Sequence, residues 1–426
     1  MTSKRRLFFI LAVFLGLVLL SGIGAGAAAT RAWRQFNQST PLEQALAPAV
    51  RAWRFDLLRY EIGAVSGKVG DLFRRPGVRL NEDEQRRLVE QYQQRALTIR
   101  RLQDEVERRY ADPAAVDPAA ITADARAQID HLNDLQSQLR PLVEGILQQQ
   151  TTQVIGEMGL TTAGLVWPPV RFDFSALPNY LIVSPRDRIE VEAGIYLHAD
   201  LDLPQIEALE NDIASEFGKS TLIEGLGGLG VWPTLVLDQA GLGWIAETIA
   251  HEWVHNYLVF YPLGRRLNDS GQMNTINETV ATIVGEEIGQ KVAHDFYGIP
   301  YPPPPAIADQ PPPPPDPDRF DFDAEMRRTR LHVDELLAAG KIEEAETYME
   351  ARRQIFVQNG YPLRKLNQAY FAFHGSYATG AASTDPIGPK LQELRRLTPD
   401  LSVFVAAVRE IAQPSDLDRL LNEWGG

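Results

Sequence analysis

Residues 246–260 read AETIAHEWVHNYLVF and hold two of the chain's seven histidines, His251 and His255, around a glutamate in an otherwise apolar run. On a helix of 3.6 residues per turn, a separation of four puts both imidazoles on one face, one turn apart, where they can converge on a single ion. Glu252 projects at a neighbouring angle, near enough to take a proton from a water held there without itself being a ligand. Ile249, Val254 and Leu258 supply the apolar side that seats such a helix. An ordinary helix with a chance histidine pair reads the same way, so the question turns on a further donor.

The chain has no cysteine, so any metal must take histidine and carboxylate ligands. The stretch MNTINETVATIVGEEIGQ, residues 273–290, supplies Glu278 within a helix-like run of Ile276, Val280, Ile283, Val284 and Ile288. A carboxylate on so apolar a face is costly unless a cation neutralises it. The turn signals YPLG and NDSG between the two stretches end the first helix and let a second return beside it. The predicted ligand set is His251, His255 and Glu278 with a water in the fourth position, and Glu286 or Glu287 next in line for the carboxylate. Zn2+ suits that set and brings the pKa of a bound water to about 7, within reach of Glu252 as general base. Thr282 and Glu247, each one turn from a ligand, are candidates to orient it, and Asn277 to bind substrate backbone.

HEWVH followed by NETVA resembles the gluzincin metallopeptidases over about 30 residues. The longer pattern is similar to a group of largely uncharacterised bacterial membrane-anchored proteins. The resemblance implies His251, His255 and Glu278 as zinc ligands and Glu252 as base. It also implies a Tyr or His from further along that stabilises the tetrahedral oxyanion. RKLNQAYFAFHGSYATG, residues 364–380, offers Tyr370, His374 and Tyr377; Tyr377 comes first because it lies beyond a helix end at Gly375, and His374 second. Ordinary packing aromatics would look alike. The Gly-x-Met-Glu-Asn edge-strand motif of the aminopeptidase branch is missing, with GVWPTLVLD in its place, which argues against an N-terminal-amine exopeptidase. The implied activity is zinc-dependent hydrolysis of peptide bonds, with peptide or protein as substrate. The competing reading is a catalytically inactive, membrane-tethered scaffold with a structural or vestigial metal site.

The remaining sequence sets the frame. A net charge of −14 argues against a nucleic-acid partner. Lys4, Arg5 and Arg6 precede 23 uncharged residues, Leu7–Ala29, which read as a signal anchor or signal peptide that sends the rest of the chain out of the cytoplasm, membrane-anchored at the periplasm or cell surface, or secreted if the segment is cleaved. Residues 81–110 and 121–150 carry apolar residues at helical spacing around the proline-bearing break ADPAAVDPAA, which predicts a helical hairpin with Asn81 as cap. From Trp167 to Leu201, alternation between turn signals predicts two or three strands. A helix at 203–218 and a strand at 231–238 follow, the latter an edge strand or strand end because of Pro233.

GLGGLG, 225–230, matches a dinucleotide fingerprint only formally; without the strand–turn–helix context it reads as a flexible loop bordering the cleft. Residues 299–318 hold eleven prolines and predict an extended linker. His294 lies too far along the Glu278 helix to be a fourth ligand. His131, His198 and His332 have no assigned role. The expected fold is α+β and mainly helical. It divides into a membrane segment (1–30), a helical spacer or lid (31–159), a zincin-like core with a small sheet and two ligand helices (160–299), a proline-rich loop (300–318) and a helical C-terminal part completing the cleft (319–426).

Overall fold

The computed structural model describes residues 40–55, 80–111, 117–229, 233–300 and 320–425. The expected membrane segment and nearly all of the proline-rich loop lie outside the described residues. Among those described, no helix is long and apolar enough to cross a membrane. The chain divides into two units, Met1–Pro48 and Ala49–Gly426. In the first, Thr40 and Glu43 exchange hydrogen bonds at the start of helix α1 (Pro41–Val50).

The second unit is mainly helical with two small sheets. Helix α2 (Glu82–Ala111) opens with Asn81, whose Oδ1 accepts from Glu84 N while Asn81 N donates to the Glu84 carboxylate, so two otherwise orphaned donors are satisfied. After α3 (Pro118–Ile121), helix α4 (Ala123–Glu157) returns antiparallel to α2, with Gln136 donating to Tyr92 O and Arg140 to the Tyr92 hydroxyl.

These helices do not stand apart from the core. Val89 and Tyr92 of α2 and Val143, Ile146, Leu147 and Val154 of α4 share one hydrophobic cluster with the helices that carry the metal donors. Polar ties fasten α2 to the same body: Tyr92 donates to Asp238, Gln93 to Ala240 O and Arg86 to Phe296 O. The buried stripe at i, i+3, i+4 explains the hairpin, and its length explains why the stripe serves the common core instead of a spacer.

Strands β1 (Phe172–Phe174), β2 (Asn179–Ser184) and β3 (Ala193–Leu197) come next, then helix α5 (Leu203–Phe217). Asp202 and Gln205 form a reciprocal cap at the start of α5, and Gly218 ends it in the left-handed conformation. Strands β4 (Ser220–Gly225), β5 (Gly228–Leu229) and β6 (Thr234–Val236) complete two three-stranded sheets, in the orders β3-β2-β4 and β1-β6-β5. The first is antiparallel; in the second, β6 runs parallel to β1 and antiparallel to β5.

One expectation narrows and another changes here. Pro233 stands at a strand end, as one of the two readings had it, and β6 is the middle strand, with Pro233 ahead of the paired residues where it costs the ladder nothing. Within GLGGLG, Gly228 and Leu229 are a paired strand and not a free loop. A Cβ on Gly228 would stand 2.5 Å from Glu252 Oε1 and 2.8 Å from Thr248 Cγ2, so this edge lies close against α6 (Leu242–Leu258).

The chain then runs through α6 (Leu242–Leu258), the single turn α7 (Pro262–Arg265) and α8 (Gly271–Tyr297), with Ser270 capping α8 through Met273 N. Helices α9 (Phe322–Ala338), α10 (Ile342–Gln358) and α11 (Gln368–His374) build a second apolar cluster on β2 and β4. Helices α12 (Ile387–Leu397), α13 (Leu401–Val408) and α14 (Ser415–Gly425) pack their buried leucines, valines and Phe404 into the first.

Candidate metal centre

Helices α6 and α8 lie side by side, and glycine sets their separation. A Cβ on Gly285 would stand 2.9 Å from His251 N, Cα and Cβ, and one on Gly289 would stand 2.4 Å from the backbone N and Cα of Glu247. The backbones therefore touch where the donors need to meet. Ile245, Ile249, Val254, Ile276, Val280, Val284 and Ile288 bury the remaining seam. The donors occupy its half-buried rim.

His251, His255 and Glu278 converge. The two Nε2 atoms are 3.0 Å apart, and each lies 3.6 Å from Glu278 Oε2. Tetrahedral coordination at about 2.0–2.1 Å separates ligand atoms by about 3.3 Å, so the triangle is of the size one small cation needs. Three lone-pair donors this close repel one another unless a cation or a proton lies between them. The second nitrogen of His255 is also fixed: Nδ1–H donates to Asn277 Oδ1 at 2.9 Å, which turns the Nε2 lone pair toward the other two donors. Asn277 itself is buried. These three residues could hold a metal ion.

The charges follow the same geometry. Burial works against a protonated His255, yet the Glu278 carboxylate holds its pKa up to about 9. Burial would raise Glu278, and the two imidazoles overcome it and keep the carboxyl far below the usual carboxylate range. Glu252 is buried beside them. Burial pushes its proton affinity up, His251 and His255 oppose the shift, and Glu278 adds to it.

Comparison with protein-family models, with curated proteins and with solved structures finds no match to this chain.

Tyr377 and His374 part company. The Tyr377 ring stands 6.3 Å from the His251 ring, and burial, with the Glu278 and Glu252 carboxylates nearby, pushes its hydroxyl well above the usual phenol range. A neutral phenol can donate a hydrogen bond. The loop that bears it is tied to the ligand helix, since Ala378 N donates to the hydroxyl of Thr279, the residue after Glu278. His374 lies instead tilted against Tyr370, ring centroids 4.2 Å apart, and edge-on to Phe373 at 5.1 Å, and burial alone lowers its pKa to about 4.

Other candidates fall into place by their hydrogen bonds. Thr282 donates to the backbone carbonyl of Glu278, which is ordinary helical back-bonding and leaves the carboxylate untouched. Asn277, expected to face substrate, holds His255. Glu287 is taken by a two-pronged pair with Arg395 and is no substitute ligand. His294 pairs with Asp295.

Tyr196 is the residue that sequence reasoning missed. It pairs across the sheet with Tyr180, ring centroids 4.9 Å apart, and its hydroxyl feels both Glu252 and Glu278. Burial, and then those neighbours, push its proton affinity far up. Only the β2–β3 pairing brings it there, and the local pattern of GIYLH carries no sign of it.

Proposed function

We propose that this chain is a zinc-dependent peptidase of gluzincin type with a zincin-like core, acting on peptides or proteins outside the cytoplasm and held to a membrane through residues 7–29. The observation that carries the reading is a buried Glu252 beside three converging donors, His251, His255 and Glu278. Two histidines and one carboxylate also suit iron. A buried carboxyl with raised proton affinity at the next helical position favours hydrolysis, which needs a base, over redox chemistry, which does not.

When bound, zinc supplies a Lewis acid for a carbonyl oxygen and acidifies water to a pKa near about 7. The side chains do the rest. Glu252 accepts the proton from the attacking water and passes it to the leaving amine. Asn277 keeps the His255 ring in one tautomer and one orientation. Tyr377 donates to the oxygen on which negative charge develops.

Metal analysis of the full chain beside a peptide-library digest tests this. About one zinc per chain is expected, lost in His251→Ala. Glu252→Gln should keep the metal while hydrolysis falls by roughly 10²–10⁴-fold. Stoichiometric iron, or a Glu252→Gln variant as active as wild type, would overturn the hydrolytic reading. A metal-loaded chain that cleaves nothing in a broad library would leave the tethered scaffold.

A further inference from the structure

Away from the metal centre, Leu165, Trp167, Val259 and Phe260 are 71%, 52%, 46% and 45% exposed. They belong to one place. The Trp167 and Phe260 rings stand 6.4 Å apart, Val259 precedes Phe260, and Leu165 caps the turn two residues before Trp167. That turn is closed by hydrogen bonds in both directions between Thr162 and Leu165, with Ala163 and Gly164 at φ 51 and 78. Trp253 Nε1 donates to Pro168 O and pins the loop to α6. The patch is thus backed by a fixed scaffold.

Charge borders it. Arg265 and Arg266 come soon after, both exposed, and Arg409 lies over the Tyr261 ring at 4.4 Å. Asp269 and Glu410 are the acidic neighbours, so the balance is slightly cationic. Exposed Trp and Phe beside aliphatic residues, rimmed by Arg, is the composition of the zone where lipid headgroups meet acyl chains.

We propose that this patch docks on the surface of a lipid bilayer. The same chain carries the uncharged stretch Leu7–Ala29, long enough to enter a bilayer. Arg54, bridged to Leu197 at the edge of β3, lies 25 residues beyond Ala29 in the same chain. A weak apolar contact is therefore presented to the membrane at high effective concentration. Docking also sets the height of the metal centre, because the patch begins where the donor helix ends. Val259 is eight residues past His251, about 12 Å along the helix axis. The proposal rests on membrane association of residues 7–29 and not on catalysis.

The absence of cysteine allows a single label. Full chains bearing Leu165→Cys, Phe260→Cys, Leu331→Cys or Val357→Cys are labelled with an environment-sensitive fluorophore. Each is reconstituted into phosphatidylcholine–phosphatidylglycerol vesicles containing a quencher-tagged lipid. All four positions are exposed, and the last two lie on α9 and α10. Labels at 165 and 260 should be quenched about twofold, as expected for groups about 5–10 Å into the interface, with no change at 331 and 357.

A chain that floats with vesicles yet gives four unquenched labels overturns the docking alone, and one that does not float overturns it together with membrane attachment. Shielding at 165 and 260 that persists in lipid-free detergent, with energy transfer between labelled chains, overturns it in favour of a second copy.

Discussion

The helix pair that carries the donors and the loop that carries Tyr377 share a steric restraint and differ in the polar bonds added to it. Along α6 and α8 the restraint is steric. The glycines Gly285 and Gly289 rest on the backbone of His251 and Glu247, with no room for a methyl group. The Tyr377 loop has such a contact too, since a Cβ on Gly388 would stand 2.1 Å from Ala378 O, and it adds separable polar ties. Arg330 donates to Ala382 O and Phe371 O, Arg327 to Ser383 O, Thr384 to Asp334, and Ala378 N to Thr279. Each such bond is worth about 1 kcal/mol and can be lost singly, whereas backbone contact has no graded failure. Both sides carry backbone contacts, and the Tyr377 side adds bonds that can be removed one at a time.

Gly289→Ala is the strongest way to break that contrast. In an unpacked helix this exchange stabilises by about 1 kcal/mol, since alanine has the better propensity. Here the added methyl meets backbone at 2.4 Å, so a loss of about 1–3 kcal/mol in urea unfolding is expected, opposite in sign. Gly285→Ala should act likewise and also cost metal affinity, because its contact is His251 itself. A stabilised Gly289→Ala chain would mean that the seam has slack to take up a methyl group.

Asn277→Ala comes next. It leaves the three donors in place and removes only the acceptor for His255 Nδ1–H, so zinc affinity in a competition titration should fall about 10–100-fold. An unchanged affinity would show that the α6–α8 packing alone orients the ring.

The donors are legible in the sequence because their signal is local. His251 and His255 share a helical face by spacing, and Glu278 stands out as an isolated carboxylate in an apolar run. The mainly helical α+β character comes from periodicity in the same way, as does the cap at Asn81. What is not legible lies across non-local contacts. Gly285 and Gly289 look like weak helix positions until α6 is beside them. Gly228 looks like loop until Glu252 is beneath it. Tyr196 meets Tyr180 only through strand pairing, and Asn277 reads as a free amide until the His255 ring turns toward it. The helices of residues 82–157 read as a spacer because an amphipathic stripe does not say which core it joins.

Thr279→Val tests the polar part of the restraint on the Tyr377 loop. The exchange preserves shape and deletes the hydroxyl that accepts from Ala378 N, leaving a buried donor unpaired at a cost of about 1–3 kcal/mol. Turnover of a peptide substrate should fall more than zinc affinity does, since Tyr377 moves and the ligands stay. Equal losses would place Thr279 with the fixed frame.

The smallest effect concerns Glu247, the one carboxylate inside the glycine seam. Burial, and then the Glu286 carboxylate, raise its pKa from the ordinary 4.5 to about 7. Between those values the folded chain binds the proton more tightly than the unfolded one, so this group's contribution to stability is present below about 4.5 and declines as pH rises through 7. Glu247→Gln removes the charge that has to be buried. Its melting temperature should exceed wild type at pH about 8, approach it at pH about 5, and vary less between. Zinc affinity separates this from the alternative role one turn before His251. A residue that orients His251 would loosen the metal when replaced, whereas a residue that merely sits in a seam too tight for its charge would leave the metal untouched and the fold more stable.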